Sequence, residues 1–69
     1  MNDNYNRIKV VLAEKRKSNK WLAEQTGKTE MTVSRWTRNK MQPSIEQLFI
    51  ISRVLGVDSK DLINSNSDI

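Results

Sequence analysis

The side chains best suited to chemistry in this chain are lysines and arginines, and they are clustered. Residues 15–40 hold eight of them against two acidic residues, so this segment carries +6 and the remainder −2 within a net charge of +4. Ammonium and guanidinium groups gathered on one part of a small domain are typical of a phosphate-binding surface. An ordinary solvated face is the alternative at this point. The eight residues are Lys15, Arg16, Lys17, Lys20, Lys28, Arg35, Arg38 and Lys40.

The chain lacks the residues on which most enzymatic catalysis depends. The 69-residue chain has no Cys and no His, which argues against disulfides, thiolate nucleophiles, the usual zinc sites and imidazole acid/base catalysis. A chain of this length forms one domain and buries only about 60% of the surface that its unfolded form exposes, which leaves little room for a deep active-site cleft. We therefore expect no enzymatic activity, no cofactor, no metal and no small-molecule ligand.

No part of the sequence is typical of a membrane segment or a leader. The longest apolar runs, Val10 to Ala13 and Leu48 to Ile51, are far shorter than the ~20 residues of a membrane span. The polar start Met1-Asn-Asp-Asn does not resemble a signal peptide. These features predict a cytoplasmic protein with no membrane partner.

The basic segment begins with a short predicted helix. Ser18 is a suitable N-cap, and Leu22 and Ala23 are its inward positions. Gly27 is expected to end it, because glycine enters the left-handed conformation without steric cost. Two helices joined by a short turn containing glycine are how small proteins present a helix to the DNA major groove.

The second of these two helices is predicted from Glu30 to about Arg38. Thr29 can cap its start, Val33 and Trp36 point inward, and Asn39 can end it in the left-handed conformation. Such a short and polar helix must be held in place by its neighbours. Its outward positions are Glu30, Met31, Ser34 and Arg35.

Apolar residues at helical spacing predict three flanking helices. The first covers residues 5 to 15, with Asp3 or Asn4 as its cap, and the fourth starts at a capping box from Ser44 to Gln47 and stops at Gly56. The buried positions of these two are Tyr5, Ile8, Val11 and Leu12, and then Ile45, Leu48, Phe49, Ser52 and Leu55.

The last predicted helix is short, from Ser59 to Ile63, with Asp58 as its cap and Leu62 and Ile63 returning to the core. After Asn64 a polar tail is expected to fray. The prediction is a compact all-α, five-helix single domain over residues 1–69, with an ordered core at about 5–63 and no strand.

The residues resemble the Xre/Cro/C1-type helix-turn-helix domains, which have the lambda-repressor-like fold. The resemblance covers about residues 5 to 63 and includes the spacings between helices as well as the turn. It is carried by Ser18-Asn-Lys-Trp-Leu-Ala-Glu-Gln-Thr-Gly27, Thr29-x-x-Thr-Val-Ser-Arg-Trp36, Pro43-Ser-x-x-x-Leu48, Leu55-Gly-Val57 and Asp61-Leu62.

The resemblance implies that the third helix enters the DNA major groove while the second lies across the backbone. The residues then expected to read bases are Glu30, Met31, Ser34 and Arg35. With the charge pattern, the residues expected to contact phosphates are Ser18, Asn19, Lys20, Lys28, Thr32, Arg38, Asn39 and Lys40. Asn19 can also brace a residue of the third helix.

Three positions depart from the family pattern. Asn39 stands where the family commonly has Gly in the loop after the third helix. Glu30 stands where a neutral or basic residue is common; a carboxylate there repels phosphate but accepts from the exocyclic amine of cytosine. Trp21 replaces a polar residue on the outer face of the second helix, either half-buried against the first helix or in contact with another chain.

Each readout residue has a structural alternative. The guanidinium fork of Arg35 matches guanine O6 and N7, but it could instead pair with Glu24 or Glu30. Met31 could lie against a thymine methyl or pack on the second helix. Glu30 could read cytosine or only favour the positive end of its own helix. Trp36 is expected to be a core anchor rather than a stacking platform.

The function implied is a sequence-specific double-stranded DNA-binding transcriptional regulator, a repressor of the phage or Xre type in a prokaryotic cytoplasm and associated with the nucleoid. One small module reads few base pairs, so a homodimer on a palindromic operator is expected. The fourth and fifth helices and the tail would form its interface, with Phe49, Ile50, Val57 and Ile63 as candidates. The rival readings are an antitoxin-like or other protein-binding module on the same fold, and an enzyme or small-molecule sensor.

Overall fold

Four α-helices and one 3-10 helix make up residues 4–64, the part of the chain that the computed structural model describes. Helix α1 spans Ile8–Glu14, α2 Asn19–Thr26, α3 Glu30–Thr37 and α4 Ile45–Leu55, and the 3-10 helix spans Ser59–Leu62. The predicted all-α class is confirmed, although the fifth helix is a single 3-10 segment. Within residues 4–64 no helix is long and apolar enough to cross a membrane.

Three helices start at the predicted caps. The hydroxyl oxygen of Ser18 accepts from the backbone N–H of Trp21 at 3.0 Å, and that of Thr29 from the N–H of Thr32 at 3.1 Å. Ser44 does the same for the N–H of Gln47 at 3.1 Å. Each bond satisfies a donor that the first helical turn leaves without a partner.

Left-handed residues follow all four α-helices. They are Arg16, Gly27, Asn39 and Gly56, with φ angles of 58°, 71°, 56° and 71°. After α3 the N–H of Lys40 donates to the carbonyl of Arg35 at 2.9 Å, and the N–H of Asn39 to the carbonyl of Trp36 at 3.0 Å, which is a Schellman motif. The stops predicted at Gly27, Asn39 and Gly56 are confirmed. The first helix ends at Glu14, one residue before its predicted end at Lys15, and Arg16 takes the left-handed conformation there.

The core is one cluster to which every helix contributes. Val33 and Trp36 of α3 lie in it, as predicted, and the exposed fraction of Trp36 is only 2%. Because α3 turns its apolar side chains into this cluster, its opposite face is held towards solvent. The buried residues are Ile8, Val11, Leu12, Leu22, Ala23, Val33, Trp36, Ile51, Leu55 and Leu62.

The prediction for the start of the first helix is wrong. Helix α1 begins at Ile8, and Tyr5 lies before it with 51% of its surface exposed. Asn4 does not cap the helix, and Asp3 lies outside the described residues. The Oδ1 atom of Asn6 accepts from the N–H of Ile8 at 3.0 Å instead. The reason is that Asn6 pairs with Ile63 in an isolated antiparallel β-bridge, which keeps the chain extended up to the helix.

The predicted buried face of α4 is partly wrong. Ile45 is 73% exposed and Phe49 51% exposed, whereas Ile51 is completely buried beside Ser52 and Leu55. Ile45 and Phe49 are four residues apart and share a helix face, so when Ile51 and Leu55 turn inward both of them turn outward. Leu48 is half-buried against the core, as expected.

The predictions of a capping box at the start of α4 and of two buried residues at the end of the last helix are each half confirmed. Ser44 caps α4, but Oε1 of Gln47 is buried without a hydrogen-bond partner, so it does not complete a reciprocal capping box. Leu62 is buried as predicted, whereas Ile63, which lies in the bridge to Asn6, is 49% exposed. The polar tail after Asn64 lies outside the described residues.

Candidate nucleic-acid interface

Helices α2 and α3 form the predicted pair. Three residues, Gly27 to Thr29, separate the end of α2 from the start of α3. The left-handed Gly27 and the cap at Thr29 make the corner tight, and α2 packs more extensively against α3 than against any other helix of residues 4–64. The pair therefore presents α3 as a helix supported from behind and open in front.

The four predicted readout residues lie together on the open side of α3. Glu30, Met31 and Arg35 are exposed and Ser34 is half-buried. Met31 is 63% exposed, which argues against the alternative that it packs on α2. The guanidinium of Arg35 donates from Nη2 to the Sδ atom of Met31 at 3.4 Å. Both side chains of this weak contact are exposed, so the guanidinium is accessible to a ligand.

The predicted phosphate-contacting residues lie at the start of α2, in the turn before α3, within α3 and in the loop after it. Lys20, Lys28, Arg38 and Lys40 are exposed, and so is Ser18 although its hydroxyl caps α2. Asn19 and Thr32 are half-buried. The Nε atom of Arg38 donates to the carbonyl oxygen of Ser34 at 3.4 Å. Exposed cations at α2 and after α3 could therefore approach an anionic surface that lies along α3.

Asn39 has a structural role that the sequence did not reveal. Its Oδ1 atom accepts from the N–H of Asn6 at 2.9 Å, and its Nδ2 atom donates to the carbonyl oxygen of Asn6 at 3.1 Å. The Nε2 atom of Gln42 also donates to Oδ1 of Asn39 at 3.2 Å. The carboxamide is therefore engaged within the protein, and it ties the loop after α3 to the segment before α1.

Asn6 is the centre of the same network. Its Nδ2 atom donates to the carbonyl oxygen of Trp36 at 2.9 Å and to Oε1 of Gln42 at 2.7 Å. Asn6 is almost completely buried, and these bonds satisfy the donors of its carboxamide. A lone asparagine before a helix is a common sequence feature, and nothing in the sequence pointed to these distant partners.

Trp21 is half-buried and packs against the core cluster. The Nζ atom of Lys17 lies 4.8 Å from the centre of its ring, within the range of a cation–π contact. Lys17 belongs to the basic cluster of residues 15–40 but was not among the residues predicted to contact DNA. The contact places its ammonium group beside the start of α2.

The chain is similar to known helix-turn-helix proteins. The family model described as Helix-turn-helix matches residues 8–62. A protein from Bacteroides fragilis, whose crystal structure is described as that of a candidate DNA-binding protein, is 58% identical. The match covers 87% of this chain and 97% of that chain, with a TM-score of 0.86.

A more distant solved structure has the same fold. This is the crystal structure of the hypothetical transcription factor NHTF from Neisseria. The match covers 88% of this chain and 68% of that chain. At 21% identity and a TM-score of 0.75, it shows a likeness of fold alone. A comparison with curated proteins finds no match.

Proposed function

The chain belongs to the Xre/Cro/C1-type helix-turn-helix family, and on that basis we propose that it is a sequence-specific double-stranded DNA-binding transcriptional regulator. The family and the description of the relative from Bacteroides fragilis support DNA binding. In the proposed complex α3 enters the major groove and α2 lies across the sugar-phosphate backbone.

The observation that carries the proposal is the outer face of α3. Glu30, Met31 and Arg35 are exposed there, while Val33 and Trp36 on the opposite side are buried. Arg35 would pair with guanine O6 and N7, Met31 would touch a thymine methyl, and Glu30 would accept from the amine of cytosine. Ser34 would contact a base edge or the backbone beside them.

Backbone contacts would set the position of α3 in the groove. Ser18, Asn19, Lys20 and Lys28 would hold one phosphate strand near α2, with Thr32 beside them. Arg38 and Lys40 would hold the backbone after α3. Asn39 would contribute by placing this loop, because its carboxamide holds Asn6. A phosphate contact by Asn39 itself would have to be made by an atom that the hydrogen bonds to Asn6 and Gln42 leave accessible.

We assign the regulator to the repressor type and expect it to act as a homodimer on a palindromic operator, with half-sites about one helical turn apart. Exposed apolar side chains are candidates for the interface, namely Phe49, Ile50 and Ile63. Val57 is half-buried and packs against the core, so it would contribute less.

The decisive experiment is in vitro selection from random duplex DNA, read by sequencing at several salt concentrations. Enrichment of a short motif, repeated with two-fold symmetry, is the expected result. Recovery of binding without any enriched motif would overturn the sequence-specific proposal and leave only general affinity for DNA. Enrichment of a single unpaired half-site would overturn the dimer proposal.

A further inference from the structure

A cleft of about 450 Å³ opens between the first turn of α1 and the end of α3. Its walls come from the segment before α1, from α1 itself, from the loop after α3 and from the last described residue. The polar and charged residues that form it include Asn4, Arg7, Lys9, Arg38, Asn39 and Asn64. Arg7, Lys9 and Asn64 had no role predicted from the sequence, and Asn4 was expected only as a cap of the first helix.

The charge of the cleft is positive. Arg7, Lys9 and Arg38 line it, and among the described residues no Asp or Glu does. The remaining polar groups are carboxamides, which can donate hydrogen bonds to an anion. Three cations with neutral donors between them would suit a group with negative charge on several oxygen atoms, such as a phosphate.

Arg7 is held in place by two hydrogen bonds to the 3-10 helix. Its Nη1 atom donates to the carbonyl oxygen of Asp61 at 3.1 Å, and its backbone N–H donates to the carbonyl oxygen of Leu62 at 2.9 Å. The first bond anchors the Nη1 edge of the guanidinium, and the second fixes the backbone of Arg7. Within residues 4–64 the guanidinium makes no other hydrogen bond, so its remaining N–H groups are available to a ligand. An anchored cation loses less side-chain freedom on binding than a mobile one.

The cleft is continuous with the proposed DNA-binding face. Arg38 and Asn39 belong to the loop after α3, and both also line the cleft. The Asn39 carboxamide joins this loop to the backbone of Asn6, directly before Arg7. A DNA strand lying along Arg38 and Lys40 would therefore pass the mouth of the cleft.

We propose that this cleft binds a phosphate of the DNA backbone, with Arg7, Lys9 and Arg38 as its cations. The contact area then extends beyond the helix-turn-helix pair onto α1. This inference rests on the proposed function, since it requires that DNA lies against the loop after α3. The ligand chemistry is a phosphate oxyanion, and its source is the duplex rather than a free phosphate compound.

The test compares Lys9→Gln with Arg53→Gln in the full chain. Both residues are exposed, and each substitution removes one positive charge, but Arg53 lies on α4 and does not line the cleft. Binding to a random-sequence duplex is measured by fluorescence anisotropy from about 50 to 200 mM salt. For Lys9→Gln we expect the salt slope to fall by about 0.9, the value for one lost phosphate contact, and for Arg53→Gln no change.

Combining Lys9→Gln with Arg7→Gln should weaken binding further, but the slope should fall by about 0.9 in total, because both cations are proposed to contact the same phosphate. Thermal unfolding of each variant is followed by circular dichroism. The Tm of Lys9→Gln should equal that of the wild type, because Lys9 is exposed. If wild-type protein binds DNA and Lys9→Gln keeps the same slope as Arg53→Gln, the cleft inference is wrong while the proposed function stands. If wild-type protein does not bind any duplex, the proposed function itself fails and the cleft inference fails with it.

A second measurement separates the two sources of phosphate. Inorganic pyrophosphate is titrated into the wild type and into Lys9→Gln without DNA, and heat release is recorded by calorimetry. Weak or undetectable binding to both proteins, together with a reduced DNA salt slope, supports a backbone phosphate. Tight pyrophosphate binding that Lys9→Gln abolishes would overturn the assignment to DNA and make the cleft a site for a free phosphate compound.

Discussion

The side chain of Asn39 makes two hydrogen bonds to the backbone of Asn6, 33 positions earlier in the chain. It accepts one from the N–H of Asn6 and donates the other to the carbonyl oxygen of Asn6. This pair explains why asparagine stands where the family commonly has glycine. Asn39 has a φ of 56°, in the left-handed region that disfavours most side chains. The two bonds, each contributing roughly 0.5–1.5 kcal/mol, offset that disadvantage.

Asn39→Gly should destabilise the protein although it restores the family residue. The glycine relieves the strained backbone, but it leaves the part-buried N–H of Asn6 without its partner. We expect a net loss of about 1 kcal/mol in the free energy of unfolding, which lowers Tm by roughly 4–8 °C in a domain of this size. Urea and thermal unfolding measure it, and a variant as stable as the wild type would show that the two bonds contribute no more than the relief of backbone strain.

Arg16→Gly should have the opposite effect. Arg16 has a φ of 58°, and it is exposed after the end of α1. Removing its side chain relieves a left-handed cost of about 1–2 kcal/mol, less roughly 0.5–1 kcal/mol for the added freedom of glycine in the unfolded chain. The expected gain is about 0.5–1 kcal/mol in unfolding free energy. Arg16→Ala is the matched control, because alanine has the same backbone restriction; an equal gain in both variants would refute the backbone explanation.

Arg35→Ala and Lys40→Ala should change DNA binding in different ways. Loss of the Arg35 fork removes about 1–3 kcal/mol of discrimination at one base pair, so the variant should tolerate other bases there. Loss of Lys40 should weaken specific and random duplexes alike and reduce the salt slope by about 0.9. Competition binding with a set of single-base operator variants separates the two patterns. Equal weakening on all duplexes by Arg35→Ala would contradict its role in readout.

Ile51→Ala and Ile45→Ala test which face of α4 is buried. Ile51 is completely buried, so truncation should cost about 2–5 kcal/mol of unfolding free energy. Ile45 is largely exposed, and the same truncation should change stability by less than about 0.5 kcal/mol. Chemical denaturation of the two variants provides the comparison. A larger loss for Ile45→Ala would reverse the assignment.

Phe49→Ala tests the dimer part of the proposal. Phe49 is half exposed on α4, so its truncation should leave Tm nearly unchanged. If it lies in a dimer interface, the variant should bind a palindromic site with at least tenfold weaker affinity while its affinity for a single half-site is unchanged. Sedimentation of the protein–DNA complexes reports the stoichiometry. Unaltered binding to both kinds of site would remove Phe49 from the interface.

Local sequence signals predicted the helix-turn-helix pair well. Ser18, Gly27 and Thr29 act on backbone groups within a few residues of themselves, so their roles can be read without knowing the fold. The inward side of α3 was equally predictable, since Val33 and Trp36 are the apolar positions of an otherwise polar helix. The roles of Glu30, Met31, Ser34 and Arg35 in base readout stay predictions. The exposure of Glu30, Met31 and Arg35 agrees with those roles.

The sequence by itself determined where the helices start and stop around Gly27 and which side of α3 faces the core, because caps, left-handed residues and helical spacing are short-range effects. It did not determine which apolar stripe of α4 is buried, because both stripes have the right period and only packing against the other helices selects Ile51 over Ile45. Only the tertiary structure brought Asn6 to Asn39, and Arg7 and Lys9 to the same cleft as Arg38. These contacts join segments about thirty residues apart, and no local pattern encodes them.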